Sequence, residues 1–264
     1  MTDETTPLDE AHAAMQAAPE DGATRLRFYE RLADSELFLL LAKEAEGDSI
    51  APELFSLEDG PVVLVFDREL RLGDFLGKPA PYAALSGRQA VKLLAGQGIG
   101  LGVNLGVEGG EIILPKEAVD WLAETLEHGP QEAEERPEEV TAPGNIPEIL
   151  LAGLDTKLAT AAGLAKMVYL VGVRYQSGRQ THLLAFVDAV PGAEGALANA
   201  ASEALTFSGL EAGEMDVAFF AATDPLSASL ARVGLRFELP EPPKPDVTEI
   251  TPPGMDPDAP PILK

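Results

Sequence analysis

The sequence predicts an α/β fold with α+β character: two domains, each a mixed β-sheet with packed helices. Three observations predict it. Hairpin signals are interspersed with strand–helix units, which argues against an all-parallel sheet. A Glu/Pro/Gly-rich stretch at 128–144, "HGPQEAEERPEEVTAPG", interrupts the apolar periodicity near the middle of the chain. The 264 residues, 45% hydrophobic and 24% charged, suffice for two globular bodies of ordinary size.

The first domain is expected over 1–127. Thr6 reads as a helix N-cap with Pro7 at the first position and Asp9 three residues beyond the cap. Leu8, Ala11, Met15 and Ala18 then recur at helical spacing. A second helix follows Asp21, with Leu26, Tyr29 and Leu32 on one face, and leads into the strand "ELFLLLA". "FSLEDGPVVLVFD" sets Asp59-Gly60 between two apolar runs, a hairpin signal. Tyr82–Leu85 reads as a short strand. Ser86 and Gln89 have capping-box spacing for a helix stopping near Gly98. Pro115 opens another helix, with Val119, Leu122 and Leu126 facing inward.

Residues 128–144 read as an acidic linker extended by like-charge repulsion. The second domain is expected over 145–239. Asn145 and Glu148 suggest a capped helix carrying Leu150, Leu154 and Leu158. Met167–Asp188 should be a hairpin turning near Ser177-Gly178. An alanine-rich helix is expected over Gly192–Thr206. Strand "MDVAFFAA" precedes Asp224-Pro225, cap and first position of a helix built on Leu226, Leu230 and Val233. Residues 240–264, with proline at about every third position, read as a disordered polyproline-like tail.

Composition narrows function. A formal charge of −25 opposes nucleic acid and anionic membranes, and no lysine/arginine cluster offsets it locally. The chain has no cysteine, which removes disulfides, thiolate nucleophiles, persulfide carriers and cysteine-built metal sites. No apolar run has membrane-spanning length, and the acidic N-terminus "MTDETTPLDE" lacks the pattern of a signal peptide. A cytoplasmic protein is expected.

One stretch invites a chemical reading. "GIGLGVNLGVEGGEIILP", Gly98 to Pro115, holds six glycines in eighteen residues. It fails the dinucleotide fingerprint, because the third glycine position falls on Val103 or Leu105, and no G-K-[ST] follows for a P-loop. Alternation fits better. Ile99, Leu101, Val103, Leu105 and Val107 would point to one side of a strand, and Gly98, Gly100, Gly102, Asn104 and Gly106 to the other. The bare face would take a close-packed neighbour or leave room for a ligand. Glu108 to Glu111 reads as the turn and Ile112–Leu114 as the return strand.

Other chemistry is sparse. His12, His128 and His182 lie in no metal-ligand spacing, and His128 suits a helix C-terminus. Arg174 and Arg179 flank the second-domain hairpin turn, where the protein's own carboxylates are the expected partners. Glu108 and Glu111 read as solvated turn residues, and Trp121 as packing or an interface. No nucleophile elbow or H-E-x-x-H is present. No catalytic constellation, metal site or cofactor is expected. If a small ligand binds, the candidates are Asn104, Gly106, Arg174 and Arg179.

The order of segments resembles the SseB-like family, named for enhanced serine sensitivity. The resemblance lies in "RFYERLADSELFLLL", "FSLEDGPVVLVFDRELRLGDFLG" and "GIGLGVNLGVEGGEIILP" with its following helix. Phe66-Asp67-Arg68 matches the family's aromatic strand end and small polar pair. Asn104-Leu105-Gly106 stands at its asparagine-proline-glycine-like step, without the proline. For 145–238 the resemblance rests on domain order and the helix–hairpin–helix pattern. It implies a two-domain cytoplasmic protein with no established catalytic mechanism and a link to serine tolerance. A non-enzymatic module acting through a protein partner is therefore expected, with binding of an amino-acid-like metabolite as the alternative.

Overall fold

The structure is a computed structural model that describes residues 5–47, 49–130, 135–210 and 215–240. The first domain contains α1 (Pro7–Ala17), α2 (Gly22–Asp34), β1 (Glu36–Leu40), β2 (Phe55–Leu57), β3 (Gly60–Phe66), α3 (Glu69–Leu76), β4 (Tyr82–Ser86), α4 (Gly87–Leu94), β5 (Gly100–Val103), β6 (Ile112–Leu114) and α5 (Lys116–Glu127). Its strands are ordered β4-β1-β3-β5-β6, with β2 also paired to β3. Only β3 and β5 run parallel; the other pairs are antiparallel. The second domain contains β7 (Pro137–Thr141), α6 (Glu148–Ala159), β8 (Met167–Tyr175), β9 (Gln180–Val187), α7 (Glu194–Phe207), β10 (Met215–Phe220), α8 (Pro225–Val233) and β11 (Leu235–Phe237). Its order is β10-β9-β8-β11, with β7 on β8 and a parallel β9–β10 pair. Both sheets are mixed, as the sequence predicts.

Local chemistry sets several boundaries. Thr6 accepts from the Asp9 N–H while the Asp9 carboxylate accepts from the Thr6 N–H, a complete capping box on α1. Ser86 and Gln89 do the same for α4. Asp21 caps α2, and Asp224 caps α8 with Pro225 at its first position. The α4 helix ends at Leu94, earlier than the expected stop at Gly98, and the chain turns at Gly96 with φ +71°. The N-cap of α6 is Pro147 with no side-chain hydrogen bond, so Asn145 does not cap it.

Two further differences concern short elements. Helix α3 has eight residues, with Gly73 inside it, and too few turns to announce a period. The segment 128–144, expected as a linker, contributes strand β7. There Val140 packs on the second core while Glu138 and Glu139 bond Arg174 of β8. Prolines tolerate this placement because the strand begins at Pro137 on a sheet edge. The expected tail lies outside the described residues except for Pro240.

Each sheet buries both faces, unequally. In the first domain Leu37, Leu39, Val63, Val65, Leu101 and Val103 meet α1, α2, α4 and α5. The opposite face carries Leu40, Val62, Leu64 and Phe66, covered by Leu72 and Leu76 of α3 and by Leu105. The second sheet lies between α6 with α7 and α8.

The glycine stretch is a filled contact. A Cβ at Gly102 would lie 2.7 Å from Leu64 Cδ2 and 3.1 Å from Leu105 Cδ1, and one at Gly100 would lie 2.7 Å from the Leu114 carbonyl oxygen. Alternation ends at Val103. Asn104 adopts φ +50°, and Leu105 crosses to the glycine side instead of staying with Leu101 and Val103.

The helical layers of the domains face one another. Phe207 of α7 packs into the first domain's core. Lys157 of α6, almost fully buried, reaches Asp34 at 2.6 Å, Glu203 at 2.8 Å and Glu30 at 3.9 Å. Arg88 of α4 bridges Asp34 and Glu203 at 2.8 and 2.9 Å. At the start of α4, a Cβ on Gly87 would strike the Leu32 carbonyl, so glycine is what lets α4 sit against α2.

Burial pushes the Glu30 carboxyl up and Lys157 opposes that only partly, so the net direction is upward from 4.5. The folded chain therefore holds this proton more tightly than the unfolded one. Stability from Glu30 is greatest at low pH and falls as pH rises through the raised value. Glu30→Gln should be neutral or stabilising by about 1 kcal/mol at neutral pH, and Lys157→Met should cost about 3–5 kcal/mol, both read by urea unfolding. In the glycine stretch, Gly102→Ala should cost about 1–3 kcal/mol by overpacking. Gly195→Ala, in α7 with open space at its Cβ, should stabilise by about 0.5 kcal/mol.

Candidate functional site

Two of the three segments that carry the family resemblance meet at the carboxyl ends of the parallel strands β3 and β5. In open α/β sheets this edge is where sites are commonly built. Asn104 holds them together. Its Oδ1 accepts from the Asp67 N–H at 3.0 Å, and its own N–H donates to the Val65 carbonyl at 2.9 Å. Asparagine tolerates the left-handed backbone this turn requires. The residue is completely buried, and its Nδ2 has no hydrogen-bond partner among the described residues.

Arg71, the third residue of α3, closes the site from the other side. Its guanidinium forks onto Asp9 (2.9 and 2.7 Å) and bonds Asp67 at 2.8 Å. Asp67 also accepts from Thr6 Oγ1 at 2.5 Å. The capping box of α1 is thus wired to the ends of both strands. Buried His12 adds a second tie, its Nδ1 lying 3.0 Å from the Gly109 carbonyl in the turn after Asn104. Burial pushes the Asp9 carboxyl up, but Arg71 and the Thr6 N–H outweigh it and hold the group below 3.8. A carboxylate so held is a poor proton acceptor at neutral pH. The geometry is that of a clamp fixing α1, β3, α3 and β5.

The candidate ligand residues fall in two places. Asn104 and Gly106 lie in this clamp region, where Phe75 covers Gly106. Arg174 and Arg179 lie on the second-domain hairpin. Arg174 bonds Glu138 and Glu139, and Arg179 bonds Glu135 and Asp216 while stacking on Tyr175 at 4.7 Å. Burial and the adjacent Asp216, which accepts from the Tyr175 hydroxyl at 2.6 Å, push that phenol well above its usual value. His128 is the C-cap residue of α5, its Nδ1 2.7 Å from the Glu124 carbonyl. His182 lies on β9. Trp121 packs edge-on to Tyr29 at 5.0 Å. Among the described residues no three His, Asp or Glu side chains are grouped to hold a metal ion, and no helix is long and apolar enough to cross a membrane.

The open surface lies outside the clamp, on the thinly covered face of the first sheet. Register puts Leu57, Tyr82 and Ile113 on that face, through their pairing with Gly60, Leu40 and Gly102. Phe75 packs on Phe66 there, and Leu70 lies on α3; all five side chains are exposed. Sequence periodicity missed this patch because α3 itself was not legible. The clamp did leave a signal, the i,i+4 pair Asp67 and Arg71.

Arg71→Met should cost about 3 kcal/mol at neutral pH, by leaving two partly buried carboxylates without their cation. In the wild type, the stability due to Asp9 is present above 3.8 and is lost as pH falls through its lowered value. The variant's deficit should therefore shrink only as pH falls below 3.8, as measured by urea unfolding across pH. Asn104→Leu should cost roughly 1–2 kcal/mol more than Asn104→Gly, because only glycine takes the left-handed turn without strain.

Comparisons with known proteins reach the first domain. Comparison with curated proteins and with solved structures returned no match. Residues 8–121 match the family model described as SseB protein N-terminal domain. This span runs from α1 into α5 and includes Asp67, Arg71 and Asn104, the residues that join β3 to β5. The likeness to the SseB family is thus carried by this N-terminal domain.

Proposed function

We propose that the chain is a non-enzymatic, cytoplasmic two-domain module that acts by binding a protein partner, with a regulatory role linked to serine tolerance. The second domain is read as the family's C-terminal domain. The observation behind this reading is how the polar side chains are used. The buried ionic groups are committed to fixing α1, β3, α3 and β5, or to fixing one domain on the other, while apolar side chains remain exposed on one sheet face. Exposed apolar patches of this kind mark interaction surfaces. Affinity capture with the full chain at several salt concentrations tests the reading. A saturable partner is expected, and its absence at every salt concentration contradicts it.

A second reading, a small amino-acid-like ligand, is favoured by the buried Asn104 Nδ2 with no hydrogen-bond partner among the described residues. Thermal shifts with amino acids and nucleotides test it: stabilisation should rise with ligand concentration and vanish in Asn104→Leu. Equal shifts in both proteins place the ligand elsewhere.

A further inference from the structure

We infer that the α3 face of the first sheet docks a cationic amphipathic polypeptide segment; this rests on the reading of the chain as an interaction module. The second domain packs against the opposite, helical side of that sheet, through α2 and α4, and among the described residues none of it covers the α3 face. A groove of about 300 Å³ opens there, lined by Leu40, Phe55, Leu76, Ala80 and Pro81, with Glu53 and Lys78 beside them. Leu57, Phe75 and Tyr82 add exposed apolar surface on the same face of the sheet. This is the layout of a groove that takes the apolar stripe of a helix or an extended segment.

The acids beside these side chains select the sign of the partner. Glu58 and Asp59 form the turn after Leu57, Glu69 and Asp74 precede Leu70 and Phe75 on α3, and Glu111 lies two residues before Ile113. All five acids are exposed. The Glu69 carboxylate pushes the Tyr82 phenol's pKa up. Against these stand Lys78 at the groove and Arg68 in the β3–α3 turn. In a chain of net charge −25, this arrangement repels a second copy, an anionic lipid surface and nucleic acid alike. A segment with leucine-like anchors flanked by lysine or arginine satisfies both the apolar floor and the acidic surround.

The test titrates the full chain, by calorimetry, with an amphipathic peptide of leucine and lysine at helical spacing and with its leucine/glutamate counterpart. The lysine peptide should bind saturably at one per chain and the glutamate peptide should not bind. The double variant Leu57→Asn/Tyr82→Asn changes two exposed side chains of that face and should weaken binding at least about tenfold. Leu235→Asn, an exposed position in the second domain, should leave it unchanged. Undiminished binding by the double variant, or equal binding of the glutamate peptide, overturns the proposal. So does wild-type self-association in sedimentation that the double variant abolishes, which would make a second copy the occupant. A lysate partner that the double variant retains normally removes this face and leaves the module reading standing. Loss of every saturable lysate partner removes the module reading itself.

Discussion

The arrangement of this protein turns on a buried cation, Lys157. An ammonium almost fully removed from water must be met by carboxylates, and these come from both domains: Glu30 and Asp34 from α2, Glu203 from α7. Arg88 joins two of these carboxylates, Asp34 and Glu203, from α4. Because each member depends on groups across the boundary, the domains have little freedom to slide. Phe207, sunk into the first domain's core, adds apolar area to the same contact. This union takes up part of the helical side of the first sheet, and the side that α3 covers only in part keeps exposed apolar side chains.

A second polar network fixes that side. Asp9, Asp67 and Arg71 tie the start of α1 and the short helix α3 to the ends of β3 and β5, and Asn104 joins the two strand ends through the Asp67 N–H. An eight-residue helix has little intrinsic stability, and its position here depends on this clamp and on Leu72 and Leu76 beneath it. The side chains in the first domain that most resemble chemistry thus hold the platform on which exposed Leu70 and Phe75 stand.

Much of the fold was legible because local and global signals agreed. Both capping boxes, the Asp59-Gly60 hairpin, the Ser177-Gly178 turn and the Asp224-Pro225 cap all follow from rules acting within a few residues. The glycine stretch was legible as a hairpin but not in its details. Alternation alone cannot show that Asn104 turns left-handed and sends Leu105 to the other face. The β7 strand was hidden because its glutamates read as self-repelling, whereas Arg174 on the neighbouring strand neutralises them. The Lys157 cluster joins residues more than a hundred positions apart, and only folding brings them together. The same holds for the exposed face, whose members come from β2, α3, β4 and β6.

If the buried cluster fixes the domains as the geometry requires, they should unfold as one unit. Differential scanning calorimetry of the full chain reads this directly. The account predicts a single transition with matching calorimetric and van't Hoff enthalpies, separating into two in Lys157→Met. Two independent transitions in the unaltered protein would contradict it.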